Sequence, residues 1–132
     1  MKILLDTHAF LWFAEENVSS LLPVPTKDLL EDGANDLYLS LASVWEVAIK
    51  VSIGKLRLPE PIVNIVNFQT KRNGIRILQT KLEHLDVVET LPLHHKDPFD
   101  RLLVAQAQVE GLFVVSIDPA LDLYGINRIW LE

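Results

Sequence analysis

Five short apolar runs, each separated from the next by one or more stretches with helical spacing, restrict this chain to a narrow set of folds. Lys2 to Leu5, Asp36 to Ser40, Ile75 to Leu78, Leu112 to Ser116 and Asn127 to Leu131 are four or five residues long, a length that suits strands and not helices. Between them, apolar residues recur every three or four positions. Phe10, Leu11, Phe13 and Ala14 mark a helix over His8 to Glu16, Val44, Val47, Ala48 and Val51 mark another from Leu41 with Gly54 closing it, and Ile62, Val63, Ile65, Val66 and Phe68 mark a third that ends near Asn73-Gly74. Shorter helices are expected from Thr26 to about Ala34 and, from the capping-box pattern Thr80-Lys81-Leu82-Glu83, to about Glu89. Parallel strands need crossover connections, so this alternation predicts a mainly parallel sheet with helices on both faces, a three-layer α/β/α sandwich. At 132 residues the chain is the size of one domain, and residues 1–132 are read as one.

The segment from His95 to Ala107 carries the clearest helix-start signal. Asp97 caps the helix and Pro98 takes its first position, where a missing N–H costs nothing. Asp100 follows in the first turn, favoured there by the positive end of the helix dipole, with Phe99, Leu102, Leu103 and Gln106 at helical spacing. Three further acids occupy comparable places. Asp6 directly follows the first strand, Asp118 follows the fourth with one residue between, and Glu46 lies in the helix after the second. In a parallel sheet the ligand crevice lies beyond the carboxyl ends of the strands, where strand order reverses. Asp6 and Asp118 emerge at that edge, and the helix holding Asp100 must start there to run back into the fourth strand.

Each acid also has a local explanation. Asp6, Asp97 and Asp118 suit helix N-caps, and Ser43-Val44-Trp45-Glu46 matches a capping box that would tie Glu46 to a helix beginning at Ser43. Their convergence is what argues for chemistry, because carboxylates gathered at one edge raise one another's pKa unless a cation is present. With no cysteine in the chain, thiolate sites are excluded and an oxygen-rich site suits Mg²⁺ or Mn²⁺. A divalent ion held by carboxylates, with open positions for water and a phosphate, points to phosphodiester hydrolysis. Thr7 and Ser116, each beside an acid, either orient a water or help cap a helix.

The net charge of −6 opposes bulk attraction for nucleic acid, so any polyanion must be bound locally. Lys50, Lys55 and Arg57, and again Lys71, Arg72 and Arg76, form basic groups that suit either a solvated face or phosphates. His94 and His95 are adjacent and point apart, which argues against a histidine-based zinc site. Trp12, Trp45 and Trp130 are assigned to the core or an interface. The opening apolar run stops at Asp6, too short for a signal peptide, and no run crosses a bilayer; a cytoplasmic protein is expected.

Leu4-Leu5-Asp6-Thr7-His8, Ser43 to Lys50 with Gly54-Lys55-Leu56, His95 to Ala107, and Ser116-Ile117-Asp118 followed by Tyr124 together resemble the PIN-domain ribonuclease toxins of the VapC type. The resemblance covers nearly the whole chain in the right order. It implies a Mg²⁺- or Mn²⁺-dependent endoribonuclease with its acidic set at Asp6, Glu46, Asp100 and Asp118, Asp97 serving as a cap or an auxiliary acid. It also implies an RNA substrate, a homodimer and a cognate antitoxin that inhibits the enzyme. Ser116 stands where many relatives carry Thr and keeps the hydroxyl.

Two other classes remain to be separated from this one. A signalling receiver domain also gathers carboxylates and Mg²⁺ at such an edge, but needs paired acids after the first strand and a late Lys. Here Asp6 stands alone and no Lys follows Asp118. A catalytically inactive interaction module, its acids serving only as caps, predicts no stabilisation by metal.

Overall fold

The computed structural model describes residues 1–132. Its centre is a five-stranded, entirely parallel sheet in the order β3-β2-β1-β4-β5, formed by β1 (Lys2–Leu5), β2 (Asp36–Ser40), β3 (Arg76–Leu78), β4 (Phe113–Val115) and β5 (Arg128–Ile129). The six α-helices are α1 (Thr7–Ala14), α2 (Val24–Glu31), α3 (Leu41–Ser52), α4 (Ile62–Asn73), α5 (Leu82–Thr90) and α6 (Pro98–Glu110), with 3₁₀ turns at Glu16–Leu21 and Pro119–Tyr124. The three-layer α/β/α expectation is met.

Alternation along the strands divides the interior in two. Ile3, Leu5, Leu37, Leu39 and Val115 face one side, where they pack with Phe10 of α1, Leu30 of α2, Val47 of α3 and Ile65 and Val66 of α4. Leu4 and Val114 face the other, against Leu103, Val104 and Ala107 of α6 and Leu121 and Tyr124 beyond β4. Strands covered on both faces need apolar residues at every position, which is why β1 and β4 read as unbroken runs.

The chain builds outward from β1 through β2 to β3 and then returns to lay β4 on the opposite flank of β1. The order therefore reverses between β1 and β4, the place where a doubly wound sheet opens its crevice. Asp6 begins there, its N–H bonded to the carbonyl of Val115 at 3.1 Å.

Several local expectations are corrected. The helix after β2 starts at Leu41 with Ser40 as its cap, accepting from the Ala42 N–H at 3.2 Å. The alternative start at Ser43 is thereby removed, and Glu46 lies in the second turn. The second helix begins at Val24, because Pro25 is tolerated in a first turn whose N–H groups lack partners. At α5, Lys81 takes the cap position expected of Thr80, and His84 Nδ1 accepts the Lys81 N–H at 3.0 Å. The last strand shrinks to two residues because Thr26 takes the chain beyond it: its hydroxyl donates to the Leu131 carbonyl at 2.6 Å and accepts the Leu131 N–H at 2.9 Å. Gly111, at φ 68°, closes α6 in the left-handed conformation that favours glycine and turns the chain into β4.

Candidate active site

Asp6, Glu46, Asp97, Asp100 and Asp118 all lie around the carboxyl ends of β1, β2 and β4, but they are held in different ways. Asp6 follows the central strand and is buried, 6% exposed, with Oδ1 accepting the Ala9 N–H at 2.8 Å as the cap of α1. Burial pushes its carboxyl above the ordinary range; the Ser116 hydroxyl, the Ala9 N–H and His8 oppose this, while Asp118 adds to it. Glu46 projects inward from α3 and is 8% exposed. Thr7 donates its hydroxyl to Glu46 Oε1 at 2.6 Å, and Lys50 Nζ lies 3.1 Å from Oε2. Both carboxylate oxygens thus have partners, one reaching across from α1 and one from the next turn of α3. Thr7 serves Glu46, and Lys50 belongs to the site's charge balance instead of a free basic face.

Asp97 is the cap of α6, as its sequence predicts. Asp97 Oδ1 accepts from the N–H groups of Phe99 (2.8 Å) and Asp100 (3.1 Å), capping α6. Asp100 is left free of that duty and faces the crevice. Burial, then the charge of Asp97, push its carboxyl up to about 7, with further contributions from Asp6 and Glu46 and opposition from His95. Asp118 caps the following 3₁₀ turn, Oδ1 accepting the Ala120 N–H at 2.9 Å, and its own N–H is held by Ser116 Oγ at 3.1 Å. Ser116 therefore fixes the turn that carries Asp118 and also sits against Asp6.

The tightest group contains a residue the sequence reading set aside. His95, Asp100 and Asp118 bring their ligand atoms within 4.8 Å of one another. His95 Nε2 lies 3.0 Å from Asp118 Oδ2 and 3.2 Å from Asp100 Oδ2. Asp6 and Glu46 stand outside this close trio, near enough for their charges to act on Asp100. Adjacency to His94 had argued against His95, and the structure does separate the two: the His94 ring packs edge-on against Tyr124 with centroids 5.2 Å apart. The available signal was position, since His95 stands two residues before the cap of the helix that delivers Asp100.

Arg101 and Tyr124 hold the segment that delivers His95. The Arg101 guanidinium donates to the carbonyls of Pro92 (2.9 Å), Leu91 and Val88 (both 3.2 Å) and His95 (3.5 Å), and to Tyr124 Oη (3.3 Å). Tyr124 Oη in turn accepts the His95 N–H at 2.9 Å. Five donors in a rigid fork suit this work, which Lys could not reproduce. Arg101→Ala is expected to lower stability by about 1.5–3 kcal/mol, the range for bonds from a charged donor. Urea denaturation measures that loss, and limited proteolysis is expected to cut first between Leu91 and Lys96.

A second cluster, Glu83, His84 and Glu110, has a structural explanation. Because His84 Nδ1 accepts the Lys81 N–H, its proton resides on Nε2, which faces Glu110 Oε2 at 3.7 Å and offers no lone pair to a cation. Lys81 Nζ, 3.1 Å from Glu110 Oε1, supplies the charge balance. Trp12 and Trp130 pack edge-on against each other and the core, as expected. Trp45 departs from a core role, being 63% exposed with one side against Phe99.

Comparison with known proteins agrees with this architecture. The model of the PIN domain matches residues 3–126. Ribonuclease VapC16 of Mycobacterium tuberculosis is 37% identical over 59 residues, which is 45% of this chain and only 42% of that relative's length. Among solved structures, VapBC2 from Rickettsia felis bound to a DNA fragment from their promoter superposes with a TM-score of 0.72 at 14% identity, covering 99% of this chain and all of that one. FitAcB from Neisseria gonorrhoeae gives 0.62 at 19% identity, with 96% of each chain covered. At these identities the structural matches speak for the fold.

Proposed function

Because the chain belongs to the PIN domain family, we propose that it is a Mg²⁺- or Mn²⁺-dependent endoribonuclease, the toxin of a toxin–antitoxin pair. The observation that carries this reading is the set of carboxylates gathered where strand order reverses, with Asp100 pushed up to about 7 among its acidic neighbours. Such a set calls for a cation, and its donors are the hard oxygens that Mg²⁺ and Mn²⁺ prefer.

In this reading Asp6, Glu46, Asp100 and Asp118 hold the ion directly or through water. Asp97 and Ser116 fix the turns that carry Asp100 and Asp118, and Thr7 fixes Glu46. When bound, the cation polarises the phosphoryl oxygen and offsets charge on the leaving oxygen. Glu46 and Asp118 orient the attacking water and accept its proton at a carboxylate oxygen. The water oxygen bonds to phosphorus as the bond to the ribose 3′ oxygen breaks, and the 3′ oxygen takes up a proton from solvent, leaving a 3′-hydroxyl and a 5′-phosphate.

The name of the M. tuberculosis relative supports the ribonuclease assignment. The VapBC and FitAcB names of the structural neighbours support a partner protein, proposed here as a cognate antitoxin acting on a homodimer. No helix is long and apolar enough to cross a membrane, and a toxin that cuts cellular RNA, as proposed here, would act in the cytoplasm.

The test is cleavage of single-stranded RNA by purified protein. Cleavage is expected to require Mg²⁺ or Mn²⁺, to stop with EDTA, and to yield ends that a 5′-phosphate-dependent exonuclease accepts. Cleavage that persists in EDTA, or 5′-hydroxyl products, would overturn the proposal. An inactive binding module would give neither cleavage nor a metal-dependent rise in Tm.

A further inference from the structure

The ring of His95 is fixed at both nitrogens. Nδ1 accepts the backbone N–H of Asp97 at 3.2 Å, and an N–H can only donate. The ring proton is therefore on Nε2, the atom placed 3.0 Å from Asp118 Oδ2 and 3.2 Å from Asp100 Oδ2. Nε2–H is thus a donor to Asp118 Oδ2, with Asp100 Oδ2 close beside it, and has no lone pair to offer a cation. Its position is over-determined: Arg101 ties down the carbonyls of Pro92 and of His95 itself, Tyr124 holds the His95 N–H, and the ring is only 20% exposed. Asp97 contributes twice, its carboxylate capping α6 and its backbone N–H setting the tautomer of His95.

We propose that His95 is a positioning residue of the metal site, its Nε2–H bonding Asp118 and drawing Asp100 alongside, in the mutual placement that binds one divalent ion. This deepens the nuclease reading and rests on it. Asp100 arrives on α6 and Asp118 on the turn after β4; the core packing of Leu103 and Val104 with Val114 and Leu121 sets the distance between the two elements, and the His95 ring sets the placement of the two carboxylate tips. A carboxylate oxygen has a second lone pair, so accepting from Nε2 leaves Asp118 able to ligate, and Asp100 keeps its own lone pairs for the ion. Donors of this kind, bound to ligands and not to the metal, typically account for 10–100-fold in metal affinity.

The experiment compares Mn²⁺ binding by wild type, His95→Ala and His95→Gln, read by electron paramagnetic resonance of the free ion and by the metal-dependent rise in Tm. RNA cleavage is measured alongside as a function of Mn²⁺ concentration. The Gln amide carries an N–H donor near the place of Nε2–H. His95→Ala is expected to weaken Mn²⁺ binding by about 10–100-fold, to raise the Mn²⁺ needed for half-maximal cleavage by a similar factor, and to leave the rate at saturating Mn²⁺ close to wild type. His95→Gln is expected to recover most of the lost affinity. Unchanged or tighter Mn²⁺ binding in a folded His95→Ala protein would overturn the proposal, as would a folded Gln variant no better than Ala, or a wild type that binds no Mn²⁺. Weakened binding in the Ala variant together with a wild type that binds Mn²⁺ but cuts no RNA would leave the role of His95 standing and remove the nuclease reading instead.

Discussion

Asp100→Asn is expected to lower metal-dependent RNA cleavage by about a hundredfold or more, the upper range for disturbing a ligand's partners being the least that removing a ligand should cost. The same substitution is expected to stabilise the metal-free protein at neutral pH. Burial and the charges of Asp97, Asp6 and Glu46 make ionised Asp100 unfavourable, so its carboxyl holds a proton up to about 7 while the unfolded chain releases one near 3.8. A raised folded pKa means that this stabilising contribution is complete below about 3.8, declines as the pH climbs, and is gone above about 7. Asn carries no charge to lose. Above pH 7 the metal-free variant should exceed wild type by the order of 2 kcal/mol, a figure reduced for the solvent that reaches a partly exposed side chain. With Mg²⁺ or Mn²⁺ added the order reverses, because only wild type gains by binding. Thermal melts at pH 5 and 8, with and without metal, measure all four cases; a variant less stable than wild type in EDTA at pH 8 would contradict the electrostatic account.

Phe10→Ala is expected to be the most destabilising single truncation, costing about 3–5 kcal/mol. Phe10 heads the fully buried side chains in volume and joins α1 to the core that also holds Ile3, Leu39 and Val47. Its backbone N–H closes the first turn of α1 on the Asp6 carbonyl at 3.0 Å, so the cavity would open directly behind a site residue. A loss of that size is a large part of the 5–15 kcal/mol typical of a domain. Urea denaturation should show a lower midpoint with little change in slope. Phe10→Leu should recover more than half of the loss, because the smaller cavity scales the penalty.

The elements most legible in the sequence were those whose cause is local. Asp97-Pro98 marks its helix by capping chemistry alone. The continuous run Leu112 to Ser116 signals a strand covered on both faces. The boundary of β5 failed where a distant residue decides it, since Thr26, 105 positions away, captures Leu131; that of α5 shifted by one residue because the His84 ring, a partner the Thr80 pattern does not announce, accepts the Lys81 N–H. The site divides along the same line. Asp6, Asp100 and Asp118 could be placed at the sheet edge because each adjoins a strand or a helix start. The pairing of Thr7 with Glu46 spans 39 residues and that of His95 with Asp118 spans 23, and neither leaves a periodic trace in the sequence.

The strand order carries a consequence for biosynthesis. With β1 lying between β2 and β4, the central strand cannot be flanked on both sides until the last quarter of the chain is available. A nascent polypeptide made as far as α5 already holds Asp6 and Glu46, yet lacks His95, Asp100, Asp118 and the strand that seats Asp6. Long-range pairing of this kind is also the slow part of folding. An RNA-cutting activity built on this sheet would therefore stay latent in the nascent chain until β4 and the turn that carries Asp118 have been made and laid against the first strand.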